Sequence, residues 1–260
     1  MHDDMLDLEA KFNSFLPILK EYYPEGRKST SFLQDLKELY SNVQFDNNVI
    51  VALYDHRKAS IFYVSDNVER ISGYKPSTVI KWKGLFLFKA LHYTHYSFAF
   101  STIRRMPPFY IRQAPEERKN IQLSVCGLKG VYANGEIRRV LLKNKTLLLD
   151  EKGVIDVSVF FMEDITHLIK RDHYWYRLSC KEDEFIYIHQ KGKKIFPSLL
   201  SAREKQILLL IEQQKTTKQI ANIMFLSTLT IDTHRKNMLQ KTGTKDTTAL
   251  IHVCKMANII

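Results

Sequence analysis

Asp232, Thr233, Arg235 and Lys236 crowd into five positions near the C-terminal end of the chain. Together they offer a carboxylate, a hydroxyl, a guanidinium and an ammonium. Such groups can meet the edges of bases and the phosphates beside them. Ile231 and Met238 recur at helical spacing and need burying, so the polar groups must lie largely on the other side of that helix. Thr228 and Thr230 stand in its first turn, behind Ser227 as a capping residue, and Lys218 lies near the start of the segment before it. Spacing and capping alone fit a groove-reading helix. They fit an ordinary solvated helix of a bundle equally well.

Those side chains need a scaffold, and its starts are written in the sequence. Ser201 with Glu204, and Thr216 with Gln219, have the spacing of capping boxes, in which a hydroxyl and a side chain three residues on each satisfy an amide of the other. Ile207 and Ile211, then Ile220, Ala221 and Met224, supply apolar faces behind these starts. Only Phe225 and Leu226 separate the second helix from the third, which predicts a sharp turn between two small helices.

The blocks LSAREKQILLLI, TTKQIA, STLTIDTHRKN and QKTG resemble the LuxR/NarL type of helix-turn-helix over about residues 199–257. The resemblance implies a scaffold helix at Thr217 to Met224, a recognition helix at Thr228 to Lys241, and a fourth helix at Asp246 to Ala257 used for dimer contact. It makes Lys218, Thr228, Thr230, Asp232, Thr233, Arg235 and Lys236 the candidate DNA-binding residues. Three positions depart from the family pattern: Gln214 replaces a usual turn Gly, Asp232 an often-present Lys, and Thr242 a usual Leu.

Charge agrees with that reading. The 260 residues carry a formal net charge of +11, and from Thr166 onward sixteen Lys and Arg stand against eight Asp and Glu. A basic half is the footprint of phosphate contact. The three cysteines, Cys126, Cys180 and Cys254, are in no metal-ligand spacing and are read as reduced thiols. No run reaches eighteen apolar residues, and the start Met1-His2-Asp3-Asp4 lacks the cationic opening of a secretory signal, so the expected location is the cytoplasm.

Toward the N-terminus, Met5, Leu8, Phe12, Phe15, Leu16 and Leu19 share one helix face, and Phe32 to Tyr40 mark a second helix. From Val49 the pattern turns to strands. Val49 to Tyr54 and Ile61 to Ser65 read as a hairpin across Asp55 to Lys58. A short helix is expected after Ser65-Asp66-Asn67, broken by Gly73 to Pro76, and a longer one from Ala90 to Met106, stopped by Pro107-Pro108. Ile121 to Tyr132 and Glu136 to Leu149 meet through Asn134-Gly135, and Val154 to Met162 alternates as a third long strand. YVSDNVERISGYKPSTVI, NGEIRRV and LLLDEKGVIDVSVFFMEDIT resemble the PAS fold over about residues 45–166. Beyond it, Tyr174 to Leu178 and Phe185 to His189 can pair as strands within a charged, aromatic connector.

Catalytic chemistry has no constellation here. No Gly-rich phosphate loop exists among the nine glycines, and no HExxH-like pair among the nine histidines. His92 and His95 lie three apart, a spacing better explained by polar surface or pocket groups than by a metal. PAS-like domains hold flavin, haem, small metabolites or nothing. Residues 65–82 lack the reactive Cys of the flavin subfamily, and no axial haem ligand stands out, so no cofactor is expected. Trp82, Phe86, Phe88, Phe98 and Phe100 are the candidates for a pocket wall, with core packing as the plainer role.

The expected architecture is α+β. It has a helical N-terminal segment (1–44), a PAS-like antiparallel sheet domain for sensing or dimerisation (45–166), a connector (167–197), and an all-α, four-helix LuxR-type helix-turn-helix domain (198–260). The expected function is sequence-specific transcription regulation without enzymatic activity. The expected partners are double-stranded DNA, a second copy of the chain, RNA polymerase and an unidentified small molecule in the PAS-like domain, with no membrane. Phe12, Phe15 and Leu19, with Leu250, Ile251 and Val253, are the apolar groups a symmetric pair would bury. A protein-interaction adaptor is the alternative.

Overall fold

A computed structural model describes residues 31–43, 47–170, 173–189, 194–196 and 198–260. The helix expected at Met5 to Leu19 lies outside them. The second expected helix is α1, Ser31–Ser41. The chain then forms the strands β1 (Val49–Asp55) and β2 (Ser60–Val64), and three short helices, α2 (Asn67–Ser72), α3 (Pro76–Lys81) and α4 (Phe86–Lys89). A long helix α5 (Tyr96–Ile111) leads into β3 (Gln122–Val131), β4 (Ile137–Leu149) and β5 (Ile155–Asp164). Each strand agrees with the sequence expectation to within a residue or two, because alternation and turn chemistry are local signals. Asn134-Gly135 closes the β3–β4 hairpin with Gly135 at φ 82°, a conformation that favours glycine.

The helix α5 differs from expectation at both ends. Leu91 bridges to Gly130 and the His92 amide donates to the Lys129 carbonyl, so this stretch is tied to β3 and the helix begins only at Tyr96. At the other end the helix runs through Pro107 and Pro108 to Ile111. Each proline forfeits one backbone hydrogen bond. Burial of Phe109 and Tyr110 beyond them holds the last turn, with the Tyr110 hydroxyl donating to the Gly153 carbonyl at 3.1 Å.

The connector strands pair as expected, as β6 (Tyr174–Cys180) and β7 (Asp183–His189), followed by β8 (Lys194–Phe196). Their place is the finding: they continue the PAS-like sheet. One antiparallel sheet runs β2-β1-β5-β4-β3-β6-β7-β8. Strand alternation then gives each strand two jobs. Tyr176 and Leu178 face α5, with Phe98 5.4 Å from the Tyr176 ring. Trp175, Ile186 and Ile188 point the other way, into a core they share with the C-terminal helices. At the opposite end of that second face, α1 lays Leu36 and Tyr40 against Val51, Leu53 and Val159.

The C-terminal helices are α6 (Ala202–Glu212), α7 (Thr217–Met224), α8 (Thr228–Thr242) and α9 (Thr247–Met256). Their seam with the sheet is polar at its rim and apolar at its centre. The Trp175 indole donates to the Thr242 carbonyl at 3.0 Å, and the Arg177 guanidinium donates to the Ala257 and Asn258 carbonyls, each at 3.3 Å, just beyond the end of α9. Glu184 pairs with Arg177 and lies 3.5 Å from Lys205 on α6. Gly243 ends α8 at φ 75°, where a Cβ would stand 2.1 Å from the His173 ring, so conformation and space both demand glycine. The unusual Thr242 is explained here. Fully buried, its hydroxyl donates to the Met238 carbonyl at 2.8 Å and pairs with Thr244.

One expectation changes. Leu250 and Val253 are wholly enclosed in the protomer's own core, and Ile251 is partly buried against it. The apolar side of α9 is therefore already occupied by this chain.

Candidate nucleic-acid interface

Both expected capping boxes form. The Ser201 hydroxyl accepts from the Glu204 amide while Glu204 accepts from the Ser201 amide at 2.8 Å, and Thr216 and Gln219 repeat the exchange. Ser227 caps α8 and Asp246 caps α9. These caps matter because α7 has only eight residues and could not hold its first turn otherwise. Ile207, Leu208, Ile220, Ala221, Ile231 and Met238 fill the interior of the bundle.

The corner between α7 and α8 is made by Phe225, which takes a left-handed φ of 53° with its side chain 95% exposed. The Leu226 amide donates back to the Ala221 carbonyl at 2.9 Å, and Arg203 reaches across from α6 to the Met224 carbonyl at 2.7 Å. Gln214, in the place of the usual glycine, still adopts φ 61°. Glu204 has a second task. Buried, it accepts from the Lys241 ammonium at 2.9 and 2.7 Å, which fastens the end of α8 to the start of α6.

Thr228, Asp232, Thr233 and Lys236 are exposed on the open side of α8, opposite buried Ile231 and Met238. The Thr233 hydroxyl donates to the Leu229 carbonyl at 2.9 Å, so its proton is engaged within the helix while the oxygen can still accept. Thr230 is half-buried and its hydroxyl is engaged with Ser227 at 2.9 Å, so it serves the cap. Arg235 is half-buried on the flank, and its Nε is enclosed with no hydrogen-bond partner. Lys218 is exposed at the start of α7. Sequence reasoning passed over Leu229, which stands on the open side with its side chain 75% exposed. Its position three and four residues before Asp232 and Thr233 was the available signal.

A second site lies on the other face of the sheet. A cavity of about 190 Å³ lies between α5 and the strands, with Phe88 and Phe98 in its wall beside Leu123, Val125 and Phe160. Of the aromatic candidates, Trp82 and Phe86 pack instead around Tyr74 with ring centroids 5.7 and 5.4 Å away, and Phe100 stacks on Phe88 at 5.1 Å. The polar groups at the wall are few: Tyr54, Thr102 and His56, the last 2.8 Å from the Ser158 hydroxyl. Burial holds His56 down to about 4, although the Asp55 and Asp156 carboxylates pull the other way, so the imidazole is neutral near pH 7. Among the described residues, no cluster of three His, Cys, Asp or Glu is placed to hold a metal, and no helix is long and apolar enough to cross a membrane.

A family model described as "Bacterial regulatory proteins, luxR family" matches residues 198–254. The spore germination protein GerE of Bacillus subtilis is 37% identical over 62 residues, which are 24% of this chain and 84% of GerE. The virulence-factor transcription regulator BvgA of Bordetella pertussis is 39% identical over 69 residues, 26% of this chain and 33% of BvgA. Among solved structures, a Vibrio cholerae VqmA–ligand–DNA complex covers 86% of this chain and 87% of its own at 14% identity, with a TM-score of 0.31.

Proposed function

The chain belongs to the luxR family of bacterial regulatory proteins, DNA-binding transcription regulators, and on that footing we propose that it lays the open side of α8 in the major groove. Asp232, Thr233 and Lys236 then meet base edges, while Lys218, Arg235 and the amide-bearing starts of the helices meet phosphates. Thr228 joins them at the groove edge and Thr230 acts through the cap. The observation that carries this is the exposure of Asp232, Thr233 and Lys236 together on one side of α8 while the sheet covers α9 and the end of α8. Membership of this family does not favour the adaptor reading.

A phosphate contact helps every sequence alike. Lys218→Ala or Arg235→Ala should weaken binding to a selected duplex and a scrambled one together, reducing the salt slope by about one. A base contact behaves otherwise: Lys236→Ala or Thr233→Ala should cost roughly 1–3 kcal/mol on the selected duplex and little on the scrambled one. Asp232→Ala should relax sequence choice with nonspecific binding equal or tighter, because a carboxylate near phosphates repels unless it accepts from a cytosine amino group. Binding titrations at several salt concentrations measure all of this. Equal losses on both duplexes for all five variants contradict the base-reading assignment.

We divide the labour as residues 45–166 for sensing, 198–260 for DNA and 167–197 as the connector, within which β6, β7 and β8 extend the sheet. The protein acts as a homodimer in the cytoplasm, its two α8 helices on half-sites about one helical turn apart, recruiting or blocking RNA polymerase. We assign it no catalysis. The cavity takes a small neutral ligand: no ionised side chain lines it, and a dry cavity of about 150 Å³ is already enough for a benzene ring. Indole at millimolar concentration should raise the melting temperature while indole-3-acetate, which must bury a carboxylate, should not. Equal shifts from both contradict the neutral-ligand reading.

A further inference from the structure

Three large apolar side chains stand exposed around the helix-turn-helix corner: Ile223, Phe225 and Leu229. Leu229, 75% exposed on a helix that buries Ile231 and Met238, offers apolar area that a bound partner can cover. Leu229 differs from the other two by its register. It lies three, four and seven residues before Asp232, Thr233 and Lys236, which puts it on their side of α8. The Thr233 hydroxyl closes on the Leu229 carbonyl at 2.9 Å, so this turn of helix is formed and the leucine is presented from an ordered backbone.

We propose that Leu229 is a specificity-determining residue that packs on the 5-methyl group of a thymine in the major groove. The inference rests on the groove reading given above. Its chemistry is simple. The thymine methyl is the one apolar group that base pairs present in the major groove, and it separates thymine from cytosine there. Asp232 accepts from amino groups, Lys236 donates to guanine edges, and neither can recognise a methyl. Leu229 supplies the missing apolar contact on the same side of the helix. Burying one methyl-sized group changes an equilibrium by about fourfold.

The test replaces thymine by deoxyuridine, which pairs identically and lacks only the methyl. Full-length protein first enriches a duplex from a random pool, and each thymine of that duplex is then exchanged singly. The expected result is one position per half-site at which the exchange weakens binding about fourfold. Leu229→Ala should erase the effect at that position, keep the responses elsewhere, and retain the circular dichroism of the parent, since its side chain supports no core. A scan that is flat for the parent, or unchanged by Leu229→Ala, overturns the inference while a preference for the enriched duplex over a scrambled one leaves the groove reading standing. Loss of that preference itself overturns both.

Discussion

Trp175→Ala should destabilise the protein by about 3–5 kcal/mol, the range for removing a large buried aromatic side chain. Trp175 is fully buried in β6, between the sheet and the C-terminal helices, and its indole donates to the Thr242 carbonyl at 3.0 Å. The alanine variant loses the packing, opens a cavity and leaves that carbonyl without its donor. Trp175→Phe keeps most of the packing and removes only the donor, so it should cost about 1–3 kcal/mol. Urea unfolding followed by circular dichroism measures both. Because the sheet and the helical bundle share one core, the parent should unfold in a single transition, whereas Trp175→Ala should separate the bundle from the sheet. A loss below about 1 kcal/mol for the alanine variant would show that the bundle is not seated on the sheet in solution.

Glu204→Ala should be nearly as severe, at about 2–4 kcal/mol, for a different reason. Glu204 completes the cap of α6 and holds both bonds to Lys241, whose side chain is 28% exposed. Removing the carboxylate uncaps one helix and leaves a half-buried ammonium unpaired at the end of another. Lys241→Met, conversely, strands the buried carboxylate. The double-mutant cycle should give a coupling of about 1.5–3 kcal/mol. Both single variants should also lose DNA affinity, since the pair fixes α8 against α6. Additive losses without coupling would mean that the cap alone accounts for the effect.

What could be read beforehand follows from how local each signal is. Ser201, Thr216 and Ser227 announce their helices within four residues, and each forms the expected cap. Asn134-Gly135 and the alternation from Ile155 to Phe161 likewise mark their strands without reference to the rest of the chain. Pairing across long separations left no such mark. Trp175 to Ile188 look like any alternating hairpin, and nothing in them states that one side would meet α5 and the other the helices after Leu199. Leu250 and Val253 show the same gap: periodicity says that a face is covered, not by what. The exposed side of α8 was legible because buried Ile231 and Met238 determine its opposite. Leu229 was missed because apolar residues are searched for as core. The cavity was half legible, in Phe88 and Phe98. His56 was not, because a histidine in a hairpin turn reads as surface until β5 brings Ser158 to its ring.

A reading helix must tell one duplex from another. The most direct measurement is a titration of the unmodified full-length protein against a duplex enriched from a random pool and against a scrambled duplex of equal length, across a series of salt concentrations. If α8 reads bases, the enriched duplex binds tighter by about a thousandfold or more, with both affinities falling linearly on a log–log plot as salt rises. Equal affinity for the two duplexes at every salt concentration would contradict it.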